Sequence, residues 1–307
     1  MSVSIIIPNY NGKHLLKKNL PNVIREAGRL GSAVREIIIV DDASSDGSIH
    51  WIESYSHSRK TLPCRIIILE NLANLGFSAT VNKGVMRATG DVVVLLNTDV
   101  YPERNFLKAA LPHFENPDVF GVGFLDKSKE DGRTITRGRG IGWWEKGMYV
   151  HKRGEINGTD TSWISGGSCA IKRSIFLAIG GFNELYSPFY WEDIDLSYRA
   201  SKIGYKLYFE PKSAVIHEHA AGAIKSNYQP WQIKRIAYRN QFIFIWTNAT
   251  IRQFITHLLW LPYHALLALK RGDLLFIYGY GDALARLLQA AIRQPRTIGM
   301  KSVVIDD

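Results

Sequence analysis

The stretch Asp91-Val-Val-Val-Leu-Leu-Asn-Thr-Asp99 limits the fold more than any other part of the chain. Val92 to Leu96 are apolar without alternation, so the strand they form is buried on both faces, as in a parallel sheet covered by helices. The run stops at Asn97 and Asp99. Open α/β sheets bind ligands at the carboxyl ends of their strands, which puts these two side chains where a nucleotide or metal ion would sit. A carboxylate there suits Mg²⁺ or Mn²⁺, which take oxygen ligands and bridge diphosphate oxygens. An ordinary strand-to-turn junction has the same composition, because Asn and Asp favour turns.

Upstream, Val3 to Ile7 is a short strand that runs into the turn Pro8-Asn9-Tyr10-Asn11-Gly12. Lys13 to Leu30 carries Leu15, Leu16, Leu20, Val23, Ile24 and Ala27 at helical spacing, and Glu36 to Val40 is the next buried strand. Strand, helix and strand of these lengths make a right-handed βαβ unit. Asp41 and Asp42 follow, two adjacent carboxylates that cost electrostatic energy unless a donor or cation is near. A nucleobase NH or ribose hydroxyl is such a donor; equally, Asp42, Ser44 and Ser45 would cap a helix beginning near Gly47. Arg65 to Leu69 is a third strand. Gly76 then precedes a helix over Ser78 to Ala88, whose exposed first amides favour an anionic group. Neither GxGxxG nor a Walker sequence occurs.

Downstream, a helix is expected over Pro102 to Phe114 and a strand over Val119 to Leu125. Asp126 to Trp163 is rich in glycine and charge with little periodicity, and reads as a mobile lid or substrate-binding loop. Its Trp143, Trp144, Tyr149 and Trp163 would either stack on a sugar face or form a satellite core. Gly166-Gly167 in a strand-like stretch implies close packing against a ligand or another backbone. Glu192, Asp193 and Asp195 form a second acidic cluster beside Trp191. A helix beginning near Glu192 would stabilise them, and one carboxylate against a partly apolar wall would serve as a general base. Short strands at Tyr205 to Phe209 and Ala214 to Ile216 lead to His217. A single histidine is more often packed than ligating, but this one also follows a strand end in a chain that already offers Asp99.

Two separated cysteines, Cys64 and Cys169, point to a reduced cytoplasmic protein, and the N-terminus does not read as a signal peptide. The formal charge is +10, and from Ala221 onward eleven Lys or Arg stand against four Asp. These basic residues lie among apolar helices and no nucleic-acid motif occurs, which disfavours a nucleic-acid partner. The apolar segments Phe254 to Leu269 and Leu274 to Ile292 fall short of the roughly 20 clean apolar residues of a spanning helix. With Lys270, Arg271, Arg286 and Arg293 they suit helices lying in an anionic membrane interface at the cytoplasmic face. Packing on the catalytic domain or in a homodimer is the alternative.

Taken together, Ser4-Ile-Ile-Ile-Pro-Asn-Tyr-Asn11, Ile39 to Gly47, Asn71 to Phe77, Leu96-Asn-Thr-Asp99, Gly166-Gly167, Gly180-Gly-Phe-Asn-Glu184, Trp191 to Asp195 and His217 resemble glycosyltransferase family 2, especially its bacterial rhamnosyltransferase-like members. The resemblance implies an inverting enzyme of the GT-A fold: an α/β, Rossmann-like, mostly parallel sheet flanked by helices over residues 1–225, with a C-terminal helical extension over 226–307. It implies that Pro8, Tyr10, Asp41 and Asp42 line the nucleoside pocket, that Asn74 and Gly76 lie near the ribose and diphosphate, and that Asn82 also belongs to the donor-binding set. Asp99 and His217 would hold Mg²⁺ or Mn²⁺, with Asn97 in place of the first Asp of the usual metal motif. Asp193 would be the base, with Glu192 or Asp195 positioning the acceptor. The expected substrates are a nucleotide-sugar donor, dTDP-rhamnose or a UDP-sugar, and a saccharide or polyprenyl-diphosphate-linked acceptor of cell-surface polysaccharide synthesis. A sugar-phosphate nucleotidyltransferase is the alternative enzyme.

Overall fold

Among the described residues β-branched runs form the core strands, and helices close over both faces of the sheet they build. A computed structural model describes residues 1–59, 61–130, 132–218, 224 and 227–293. The first half alternates β1 (Val3–Asn9), α1 (Lys13–Arg29), β2 (Val34–Asp41), α2 (Ser48–His57), β3 (Arg65–Glu70), α3 (Phe77–Arg87) and β4 (Val92–Leu96). These strands are parallel neighbours in the order β3-β2-β1-β4. Successive side chains point to opposite faces. Ile5, Ile37, Ile39 and Val94 therefore pack with Leu16, Leu20 and Val23 of α1, while Ile6, Ile38, Val93 and Leu95 pack with Val81 and Val85 of α3.

The chain continues through β5 (Val100–Pro102), α4 (Phe106–Ala110), β6 (Val119–Glu130), β7 (Arg133–Arg137), β8 (Gly140–Glu145), β9 (Met148–Arg153), β10 (Ser168–Lys172), α5 (Arg173–Ala178), α6 (Glu192–Lys202) and β11 (Lys206–His217). Past β4 the sheet runs β10-β6-β11-β5, with β10 antiparallel to both of its neighbours. The two short strands expected around residues 205 to 216 are one strand, β11, with a register irregularity between Glu210 and Ala214.

Two local expectations are corrected. The segment from Asp126 to Trp163 is largely strand: β6 pairs antiparallel with β7, and β8 with β9. Lys146 and Gly147 form the second hairpin's two-residue turn, both with positive φ, and a non-glycine residue in the first turn position hides this signal. The helix expected over Pro102 to Phe114 shrinks to α4 and a 3₁₀ turn over Leu111–Glu115, because Val100 to Pro102 pair with β11 and Pro112 lacks an amide donor.

Three helices close the described chain: α7 (Pro230–Asn248), α8 (Ile251–Lys270) and α9 (Leu274–Arg293). Phe242 to Ile245 of α7 are fully buried in a cluster with Tyr149, Trp191 and Ile194, so one core spans the division expected at residue 225. The last fourteen residues lie outside the described residues.

Buried Glu36 stitches the sheet: its carboxylate accepts from Ser4 Oγ at 2.8 Å, Thr89 N at 2.7 Å and Thr89 Oγ1 at 2.8 Å. Burial alone would raise its pKa, but these bonds and Arg65 hold it below the ordinary carboxylate range. Glu36→Ala is expected to cost about 3 kcal/mol in urea unfolding, since it leaves buried donors unpaired. Because the folded pKa is the lower one, this contribution is present above the unfolded value and declines as pH falls through the folded value.

Candidate active site

The carboxyl ends of β1, β2 and β4 open into a cleft of about 1210 Å³, lined among others by Pro8, Tyr10, Asp42, Asn74, Gly76, Asn97, Asp99, Glu192, Asp193 and His217. Strand register assembles its ionic part. His217 pairs with Val100 across β11 and β5, next to Asp99, and Val215 pairs with Asp126 across β11 and β6. As a result His217 Nε2 lies 3.3 Å from Asp99 Oδ2, and His217 Nδ1 lies 3.0 Å from Asp126 Oδ2. Burial would lower the imidazole's pKa, but the hydrogen bonds and charges of Asp126 and Asp99 outweigh it and push the value up to about 9.

This array suits a divalent cation. Metal-ligating histidines commonly donate their other ring N–H to a carboxylate, the part Asp126 takes here. Asn97 Oδ1, two residues from Asp99, is buried with no hydrogen-bond partner among the described residues. Those residues contain no group of three or more His, Cys, Asp or Glu able to hold a metal, so diphosphate oxygens would have to complete the shell.

Asp193 and Glu192 stand at the N-terminus of α6. Gly166 N donates to Asp193 Oδ2 at 3.2 Å, and Ile194 N donates to Asp193 Oδ1 at 2.8 Å. Burial raises the Asp193 pKa, partly offset by the Gly166 amide and by Arg153. Glu192 is raised further, by burial and then by the charge of Asp193, and its Oε2 has no partner among the described residues. Tyr190 and Trp191, immediately before, both have positive φ, at 70° and 76°. Such backbone is strained for bulky residues and persists where the surroundings hold it. Here α7 does so: Asn240 Nδ2 lies 2.8 to 2.9 Å from the carbonyl oxygens of Tyr186, Phe189 and Tyr190, and Arg239 donates to that of Ser187 at 2.6 Å.

Three expected residues face elsewhere. Asp41 is fully buried beneath the cleft, taking hydrogen bonds from Asn9 Nδ2 at 2.7 Å and Ser44 N at 2.8 Å. Asn82 bonds both backbone groups of Phe182 at 2.9 Å, tying α3 to the turn after α5. Asp195 is buried under Tyr186, Arg199 and Asn248 and does not reach the cleft. One helical turn separates Asp195 from Trp191, and that spacing aims it at the core. Asp42 lines the cleft, yet its carboxylate already accepts from Leu75 N at 2.8 Å and Gly76 N at 2.9 Å, which orders the loop bearing Asn74. The N-cap of α2 is Gly47 and not Asp42, Ser44 or Ser45; Asp46, just before it, accepts from Ser48 N at 3.0 Å.

Several cleft residues come from the segment expected to be loop: Asp126, Arg137, His151, Arg153 and Trp163. Arg153 lies 4.4 Å over the Trp163 ring and is charge-coupled to both Asp126 and Asp193, so it links the two acidic centres. Burial, with Arg153 beside it, pushes His151 down to about 4. Trp144 and Tyr149 instead pack on Phe244 as a satellite core. Neither β8 nor β9 alternates regularly in sequence, so no local signal marked them.

Comparison with known proteins agrees with this architecture. The family model described as glycosyl transferase family 2 matches residues 4–180. The pre-mycofactocin glycosyltransferase of Mycobacterium tuberculosis is 27% identical over 71% of this chain, which spans 43% of that protein. The O-antigen chain rhamnosyltransferase WbaN of Salmonella anatum is 25% identical over 75% of the chain and 68% of its own length. The chain spans less than half the length of the first curated relatives it matches. Among solved structures, GalNAc-T7 with UDP, GalNAc and Mn²⁺ superposes with a TM-score of 0.64 at 18% identity, covering 80% of this chain and 47% of that one. The mannosyltransferase PcManGT of Pyrobaculum calidifontis with GDP-Man and Mn²⁺ gives 0.58 at 19%, covering 95% and 76%. A cleft at the strand ends, a sheet of GT-A form and a family match over more than half its length place this chain in glycosyltransferase family 2.

Proposed function

We propose that the chain is an inverting, metal-dependent glycosyltransferase that moves a sugar, rhamnose from dTDP-rhamnose or a hexose from a UDP-sugar, onto a saccharide or lipid-linked acceptor. The observation that carries this reading is the shared cleft of Asp193 and the Asp99–His217–Asp126 array. Low-identity similarity to WbaN and to the N-acetylglucosaminyl-diphospho-decaprenol L-rhamnosyltransferase of M. tuberculosis, at 26%, favours rhamnose and a polyprenyl-diphosphate acceptor.

Inversion needs a base opposite the leaving group. Asp193 accepts the acceptor hydroxyl proton as that oxygen bonds the anomeric carbon, and the bond to phosphate breaks with its electron pair left on the nucleoside diphosphate. Gly166 N and Arg153 hold the carboxylate in place, and burial makes it a stronger base than an exposed Asp. Glu192, buried beside it with one oxygen unpartnered among the described residues, orients the acceptor. The amides at the start of α3, behind Gly76, face the diphosphate, whereas Pro8, Tyr10 and Asn74 surround the nucleoside. Asp99 and His217 would hold the cation, with Asn97 beside them, and a bound divalent ion neutralises charge on the departing diphosphate.

Donor screening by nucleoside diphosphate release tests the reaction directly, and release of pyrophosphate would instead indicate nucleotidyl transfer. Asp193→Asn is expected to lower kcat by about 10²- to 10⁴-fold with donor binding by calorimetry nearly unchanged; wild-type turnover would defeat the base assignment. The acid limb of kcat/KM should lie above the ordinary Asp range, because a base with a raised pKa loses activity earlier as pH falls. Arg153→Met should move that limb to still higher pH, since the lost cation no longer favours the carboxylate. Chelation should suppress transfer and added Mn²⁺ restore it, and Asp126→Asn should weaken Mn²⁺ affinity measured by titration about 10- to 100-fold.

A further inference from the structure

The C-terminal helices carry a surface that the cleft does not use. Ile251, Ile255, Leu258, Leu259, Leu266 and Leu269 are exposed at helical spacing along α8, and Leu259 keeps 76% of its surface in contact with solvent. Leu274, Ile277, Tyr278, Leu284 and Leu288 form a second exposed stripe along α9. Scattered exposed leucines need no explanation, but apolar residues repeated along one side of each of two successive helices mark a docking surface.

Charge chooses the partner. Within α8, α9 and their connection, Asp273 pairs with Lys234 at 2.6 Å and Asp282 with Arg235 at 2.6 Å, so both acids are neutralised by α7. Arg252, Lys270 and Arg271 are exposed and have no acidic partner within ion-pair distance among the described residues, whereas Arg286 turns inward to the carbonyl oxygen of Glu184 at 3.5 Å. The surface is thus apolar with an uncompensated basic border, and a second copy of the same face would bring like charges together. No described helix is long and apolar enough to cross a membrane. We propose that α8 and α9 lie in the interface of an anionic lipid bilayer, with the apolar stripes in the acyl boundary and the basic residues at the phosphates.

The face is also joined to the cleft. At the β8–β9 turn, the carbonyl oxygen of Gly147 lies 2.9 Å from His257 Nδ1 of α8, and that of Lys146 lies 2.8 Å from His264 Nε2. A Cβ at Gly147 would collide with the α8 backbone. The far end of the same hairpin carries His151 and Arg153 into the cleft. Docking through α8 therefore fixes the cleft relative to the bilayer, which suits a lipid-linked acceptor; binding itself does not depend on the catalytic reading.

The test is flotation of the full chain with vesicles of phosphatidylcholine alone or mixed with phosphatidylglycerol, alongside its molar mass by light scattering. The chain is expected to float with the anionic vesicles, less so as salt rises, and to remain a monomer without them. Leu259→Glu combined with Leu266→Glu, both at exposed positions, should cut partitioning at least about tenfold while circular dichroism stays unchanged. Lys270→Gln with Arg271→Gln should cut it about fivefold per charge and leave partitioning to neutral vesicles unaltered. Absence of flotation, flotation of the double-Glu variant like the wild type, or a wild-type dimer that the double-Glu variant dissociates would each overturn the proposal.

Discussion

Burial of β4 on both faces is the constraint from which the rest follows. Val92 to Leu96 are at most 1% exposed, so this strand can offer polar groups only at its ends. β1 and β2 run parallel to it and share the property, so the polar residues that follow all three collect along one edge of the sheet. β5 returns at once to pair with β11, and that short pairing brings Asp99 and His217 within 3.3 Å although they are over a hundred residues apart in sequence.

The acidic centre on α6 depends on a different kind of support. Two successive bulky residues in left-handed backbone cost of order 1–3 kcal/mol each. The hydrogen bonds of Asn240 and Arg239 and the aromatic packing of Trp191 on Phe244 offset that cost. Helix α7 is therefore part of the architecture of the cleft, and it also neutralises the acids that would otherwise border the exposed face of α8 and α9. A single helix thus couples Asp193, the cleft wall and the outer surface.

The parallel half of the fold was legible because its strands are continuous apolar runs and its helices keep a regular spacing. Legibility fell where those signals lapse. The β8–β9 hairpin turns on Lys146-Gly147, in which the lysine adopts a conformation usually left to Asn, Asp or Gly, and its strands carry no regular apolar–polar alternation. An unrecognised hairpin concealed Arg153 and His151. In the site, residue type identified acids at strand and helix ends, but it did not separate Asp42 and Asp193, which face the cleft, from Asp41 and Asp195, which face inward.

By itself the sequence determined the strands and helices of the parallel half, that a doubly covered parallel sheet results, and that carboxylates gather at its carboxyl edge. Each of these depends on periodicity and local propensity, which a linear string records. Only the tertiary structure decided which of two neighbouring acids points into the cleft, that Asp126 backs His217, and that α7 braces the strained turn before Asp193. Those outcomes rest on strand register and helix docking, where partners 50 to 91 residues apart meet and no local pattern marks the pairing.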